Sequence, residues 1–148
     1  MNKIFFLDID IIYIAQIKVK KMPDKVKVEL EFPIHASPNF LYQYISTPDA
    51  LGEWFADNVN SRGKMFTFIW DDTEEVAERI SQKSNEFIRF KWDEDDDKES
   101  YFEMRIQVDA LTKDVSLMVT DFAEEDEIDE SKMFWENQIA ELKQTIGA

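Results

Sequence analysis

The chain has 148 residues, 44% hydrophobic and 33% charged, with a formal net charge of -15 and no cysteine. That length supports one domain with a core of its own. The lack of cysteine excludes disulfides, thiolate metal sites and cysteine nucleophiles, and the acidity argues against a role on nucleic acid or on an anionic lipid surface.

Residues 1–21 read as an upstream extension, with Met22 as the natural start of a domain running from 22 to 148. The apolar run IFFLDIDIIYIAQI covers only 14 residues and contains Asp8 and Asp10, whereas a membrane span needs about 20 apolar residues. Only Lys3 precedes the run as a basic residue and no small-residue cleavage pattern follows it, so it does not read as a signal peptide. The expectation is a cytoplasmic protein without stable membrane insertion.

From Lys25 the sequence alternates. Val26, Val28, Leu30 and Phe32 take one side, and Lys25, Lys27, Glu29 and Glu31 the other, which predicts a half-buried strand ended by Pro33. Ser37-Pro38 then starts a helix whose buried side is expected to carry Phe40, Leu41, Tyr44 and Ile45. Thr47-Pro48 repeats the start signal for a second short helix that leads into Trp54-Phe55.

Five further strands are predicted, over 65–70, 74–81, 87–92, 101–108 and 115–122. Their inward sides are read as Phe66, Phe68 and Trp70; Ile88, Phe90 and Trp92; and Phe102, Met104, Ile106 and Val108. The last strand is ambiguous between Val115, Leu117 and Val119 and the set Met118, Thr120 and Phe122. Short turns imply an antiparallel meander with one wet face.

The chain closes with a helix over 129–146. Ile128, Trp135, Ile139, Leu142 and Ile146 fall on one stripe, Asp126 or Asp129 is placed to cap the start, and Gly147 follows the end. Such a helix is about 27 Å long, enough to cover the sheet.

Few groups are candidates for chemistry. His35 is the sole histidine, and with Ser37 it is read as part of a strand–helix junction. Asp93, Asp95, Asp97 and Glu99 alternate like half a calcium loop, but Lys98 and Met104 stand where that loop needs glycine and glutamate. No metal, cofactor or catalytic set is predicted. The tryptophans have no evident charged partner, which argues against catalysis among them. The aromatic face either packs densely or lines a cavity for an apolar guest, and the pattern alone does not choose.

The segment PIHASPNFLYQYISTPDALGEWF, with Trp135, Ile139, Leu142 and Lys143 at the other end, resembles the START-like (SRPBCC) superfamily, and within it the branch related to activators of the Hsp90 ATPase. Only Gly63 remains of that branch's glycine pair, and AEEDEIDES replaces its glycine-tryptophan segment. The resemblance implies an α+β helix-grip fold: a curved antiparallel sheet of about six to seven strands, two short helices and a long C-terminal helix across them.

It also favours a cavity. The expectation is a non-enzymatic domain that binds a small hydrophobic ligand in a closed pocket between Phe90, Trp92 and Trp135, of a few hundred Å³ in order of magnitude. Leu41, Trp54, Phe66, Phe68, Trp70 and Phe102 are the other ring and corner residues expected to contact it, with Met104 and Ile139. The alternatives are a protein-interaction or co-chaperone-like module, including a homodimer, and an enzyme akin to the cyclases or hydrolases among superfamily relatives.

Overall fold

The computed structural model describes residues 25–148; the extension read at residues 1–21 lies outside the described residues. Strand β1 (Val26–Pro33) is followed by helices α1 (Pro38–Ser46) and α2 (Pro48–Trp54). Six strands come next: β2 (Asn58–Arg62), β3 (Met65–Trp70), β4 (Thr73–Lys83), β5 (Phe87–Trp92), β6 (Phe102–Val108) and β7 (Val115–Ala123). A single 3-10 turn at Glu125–Glu127 leads into helix α3 (Ile128–Ile146). All seven strands form one antiparallel sheet in the order β1-β7-β6-β5-β4-β3-β2. Among the described residues no helix is long and apolar enough to cross a membrane.

The helix signals act as their chemistry requires. Ser37 Oγ accepts from the Phe40 N–H, Thr47 Oγ1 accepts from the Ala50 N–H, and each precedes a proline whose missing N–H costs nothing at a helix start. Gly147 ends α3 at φ 75°, a conformation that a side chain would strain. The start of α3 departs from expectation: Glu127 occupies the capping position without a side-chain bond, and neither Asp126 nor Asp129 serves. The preceding 3-10 turn supplies the entry instead, through Glu127 N–H donating to Glu124 O at 2.8 Å.

Two other expectations are corrected. Asn58–Arg62 is a strand, although Val59 is its only apolar residue; a two-residue turn at Gly63 (φ 61°) and Lys64 folds it back on β3. In α1 the buried residues are Leu41, Tyr42 and Ile45, while Phe40 is 42% exposed and its ring lies against that of the half-buried Tyr44.

The ambiguity of β7 is resolved by register. Leu117 pairs with Phe32 and Ile106, and Val119 with Leu30 and Met104, so Leu117 and Val119 face the core. Val108, read as inward, is exposed near the sheet's end. The register of β4 shifts between Arg79 and Ser81, leaving exposed Ile80 as the extra residue of a bulge that adds to the sheet's curvature.

The concave face carries the aromatic rows, and α3 lies over it through Trp135, Ile139 and Leu142. The convex face is not simply wet. Glu103, only 6% exposed, receives Arg89 and Arg105, whose guanidiniums lie over the Tyr101 and Phe87 rings at 3.9 and 4.2 Å.

Phe55, the residue after α2, joins helix, corner and sheet. Its ring pairs with those of Trp54, Phe68, Trp70, Phe102, Phe134 and Trp135 at 5.2–6.2 Å. Truncation to alanine removes all of these contacts at once and leaves a void. Phe55→Ala is therefore expected to lower the free energy of urea unfolding by about 3–5 kcal/mol, whereas exposed Phe40→Ala should cost less than about 1 kcal/mol. Comparable losses at the two positions would contradict this description of the core.

Candidate aromatic cleft

The rows of the concave face can be read from strand pairing. Phe66 on β3, Ala77 on β4 and Trp92 on β5 lie side by side, and the next inward pairs are Phe68 with Glu75 and Trp70 with Thr73. Ala77, fully buried, is the small residue between two rings. Strand β5 ends at Trp92, opposite Ala77, so the first residues of β4 project past it and the inward face is uncovered there. Trp70, Thr73, Glu75 and Trp92, with Phe134 from α3 above them, enclose an open cleft of about 440 Å³.

The geometry of its walls is fixed from behind. Trp70 Nε1–H donates to the Phe55 carbonyl at 2.9 Å, which holds the partly buried indole against the core. Gln138 Nε2 donates to the same carbonyl, tying α3 to the end of α2. Trp70 and Trp92 meet at 6.3 Å between centroids with 53° between planes, forming an open angle. Phe134 leans on Phe55 and Trp135 at 6.2 and 5.5 Å and is 39% exposed.

Of the residues singled out from sequence, Trp70 and Trp92 reach this cleft. Leu41, Phe66, Phe68, Phe90, Phe102, Met104, Trp135 and Ile139 are sealed in the core, each at most 1% exposed. The space expected between Phe90, Trp92 and Trp135 holds the Phe102 ring, at 5.1, 4.9 and 6.0 Å from the three. Trp54 is also buried; its Nε1–H donates to Tyr44 O at 2.8 Å, which anchors the corner between the short helices. Phe134 and Glu75 were not legible as site residues. The first stands off the apolar stripe of its helix, and the second sits in an acidic run that reads as solvated.

The remaining candidates lie elsewhere. His35 is exposed and borders a separate polar groove of about 360 Å³ shared with Asp109, Thr112 and Ser116. Asp109 Oδ1 accepts the Leu111 and Thr112 N–H groups of its own turn, which holds that carboxyl below its ordinary pKa. In the 93–99 loop, Asp95 Oδ1 and Asp97 Oδ1 accept the backbone N–H groups of Asp97 and Glu99, and Asp95 Oδ2 is paired with Lys25 at 3.1 Å. Among the described residues, Glu124, Asp126 and Glu127 are the carboxylates grouped closely enough to share a cation, and all three are exposed. They precede α3, where negative charge suits the helix N-terminus.

Residues 22–148 match the START-like superfamily domain. A Bacteroides fragilis protein solved by solution NMR is 39% identical, with a TM-score of 0.60 over 84% of this chain and 93% of that one. The Aha1 dimer from Colwellia psychrerythraea is 16% identical with a TM-score of 0.68, covering 80% of this chain and 93% of that one. A Mesorhizobium loti protein solved by X-ray crystallography is 17% identical with a TM-score of 0.65, covering 82% and 97%. No curated protein matches the chain.

One tryptophan has an acidic partner that the sequence did not reveal. Trp135 Nε1–H donates to Asp121 Oδ2 at 2.8 Å, and the Phe122 N–H donates to Oδ1 at 2.8 Å. Burial raises the Asp121 carboxyl above its ordinary pKa, while these two bonds pull it down without cancelling the rise. The folded state therefore binds more protons than the unfolded chain between the two values. This contribution to stability is complete below the ordinary carboxylate value and is lost as pH rises through the folded one. Asp121→Asn keeps an acceptor for the indole and cannot ionise. From about pH 4 to pH 7, the stability of this variant relative to the parent is expected to rise, as measured by urea unfolding at each pH. A relative stability that falls over that range would refute the assignment.

Proposed function

This chain belongs to the START-like superfamily, and we propose that it is a non-enzymatic binder of a small apolar molecule held in the cleft of Trp70, Trp92 and Phe134. The observation that carries this reading is an aromatic cleft continuous with a ring-packed core. Trp92 touches Phe102 at 4.9 Å and Phe68 at 5.6 Å behind it, while its own outer part is only half buried. A guest seated there covers exposed indole and phenyl surface, the ordinary driving force for taking up an apolar chain.

Because Phe102 fills the interior, the guest lies at the rim, under the first half of α3. The lining holds a single ionisable side chain, Glu75, and His35 lies by a different groove. That composition supports binding over catalysis, since a general base needs a partner positioned at the reacting atom. Self-association is the second reading. It is favoured by exposed apolar residues on the described surface, Leu111 (93%) and Met133 (62%) among them, and by the fold shared with a protein solved as a dimer.

Calorimetric titration with 1-decanol tests the first reading. Binding in the sub-millimolar range is expected, since small ligands contribute roughly 0.3–1.5 kcal/mol per heavy atom. Phe134→Ser should weaken it about tenfold, at a cost of about 1–2 kcal/mol in stability from the lost ring contacts with Phe55 and Trp135 that leaves the protein folded during the titration. Absence of binding, or binding indifferent to Phe134, would remove the cleft as the site.

A further inference from the structure

We infer that the guest of this cleft is an amphiphile with a cationic head, a protonated or quaternary amine, held against the indole wall of Trp70 and Trp92 beside the carboxylate of Glu75. The inference rests on the preceding reading of the cleft as a ligand site and adds the class of ligand.

Glu75 occupies an unusual place for a carboxylate. It pairs with Phe68, one of the most buried residues of the concave face, and cross-strand partners project from the same face of a sheet. It therefore stands on the aromatic side, at the point where β5 has ended. Among the described residues it makes no ion pair, and no lysine, arginine or histidine lines the cleft. The 93–99 acidic loop begins beside it, with Asp93 N–H donating to Val76 O at 2.8 Å.

The rings supply the other half of the recognition. An indole face attracts a cation lying within about 6 Å of its centroid. Trp70 and Trp92, in contact with centroids 6.3 Å apart, both line the cleft and are both only partly buried, so a cation seated against this wall lies over indole surface. Phe134 forms no ring pair with either, so the gap between helix and sheet rings stays open. A cationic head seated there meets indole surface and one carboxylate without an ion pair, and its apolar tail continues along Phe134. An anionic head meets the same features as repulsion. The overall charge of -15 adds in the same direction, raising the local concentration of cations.

Three ligands with the same ten-carbon tail separate the possibilities: decyltrimethylammonium, 1-decanol and decanoate, each titrated below its aggregation concentration at physiological salt. The ammonium compound is expected to bind at least fivefold more tightly than decanol, with decanoate weakest. Glu75→Gln, a change on an exposed side chain, should remove most of that preference, read as the ratio of the ammonium and decanol affinities measured on the same protein. A diffuse attraction to the acidic surface would instead survive Glu75→Gln and fade with added salt, which would overturn the inference. Decanol binding as tightly as the ammonium compound would overturn the cationic head while leaving the apolar cleft in place. Failure of all three ligands to bind would overturn both.

Discussion

The carbonyl and ring of Phe55 are the point on which this molecule closes. A helix C-terminus leaves carbonyl groups without intrahelical partners, and here the carbonyl just past α2 takes an indole N–H from β3 and an amide N–H from α3. The ring above it reaches six other aromatic residues from the corner, the sheet and the long helix. Three layers that could slide on one another are thus fixed by one residue. The orientation of Trp70, and through Phe134 the width of the cleft, follow from that fixation.

The same crowding decides where a ligand can go. A guest was expected between the sheet and the C-terminal helix, yet Phe102 and Phe55 occupy the middle of that space. What remains open is the end of the sheet where β5 stops before β4 does. Dense packing and ligand uptake are then not alternatives: in the proposed reading the packed rings are the back wall of a site whose front is Trp70, Trp92 and Phe134.

Much of the architecture was legible because burial leaves periodic traces. Val28, Leu30 and Phe32, or Phe66 and Phe68, alternate because a strand has two faces, and Trp135, Ile139 and Leu142 recur because a helix has one buried stripe. Ser37, Thr47 and Gly147 are local chemistry that needs no tertiary context. What could not be read depends on register or on partners distant in the chain. Strand β2 is polar because it is an edge held mainly by ladder bonds to β3. Phe55 lies past a helix end, outside any period. Glu103 looks like an outward charge and is outward, but two arginines bury it. Asp121 belongs to an acidic run that appears merely soluble until Trp135 is placed beside it. The cleft itself arises because two neighbouring strands differ in where they end, and such an offset is a property of pairing that no single segment records.

The four indole N–H groups give the most direct test of the account, since each reports one location: Trp54 the corner, Trp135 the helix seat, Trp70 and Trp92 the cleft. Their resonances in a 15N-correlated NMR spectrum should respond selectively as an apolar ligand is added, with those of Trp70 and Trp92 moving and those of Trp54 and Trp135 holding still. Displacement centred on Trp54 or Trp135, or no selective movement at any of the four, would contradict a site at the open end of the sheet.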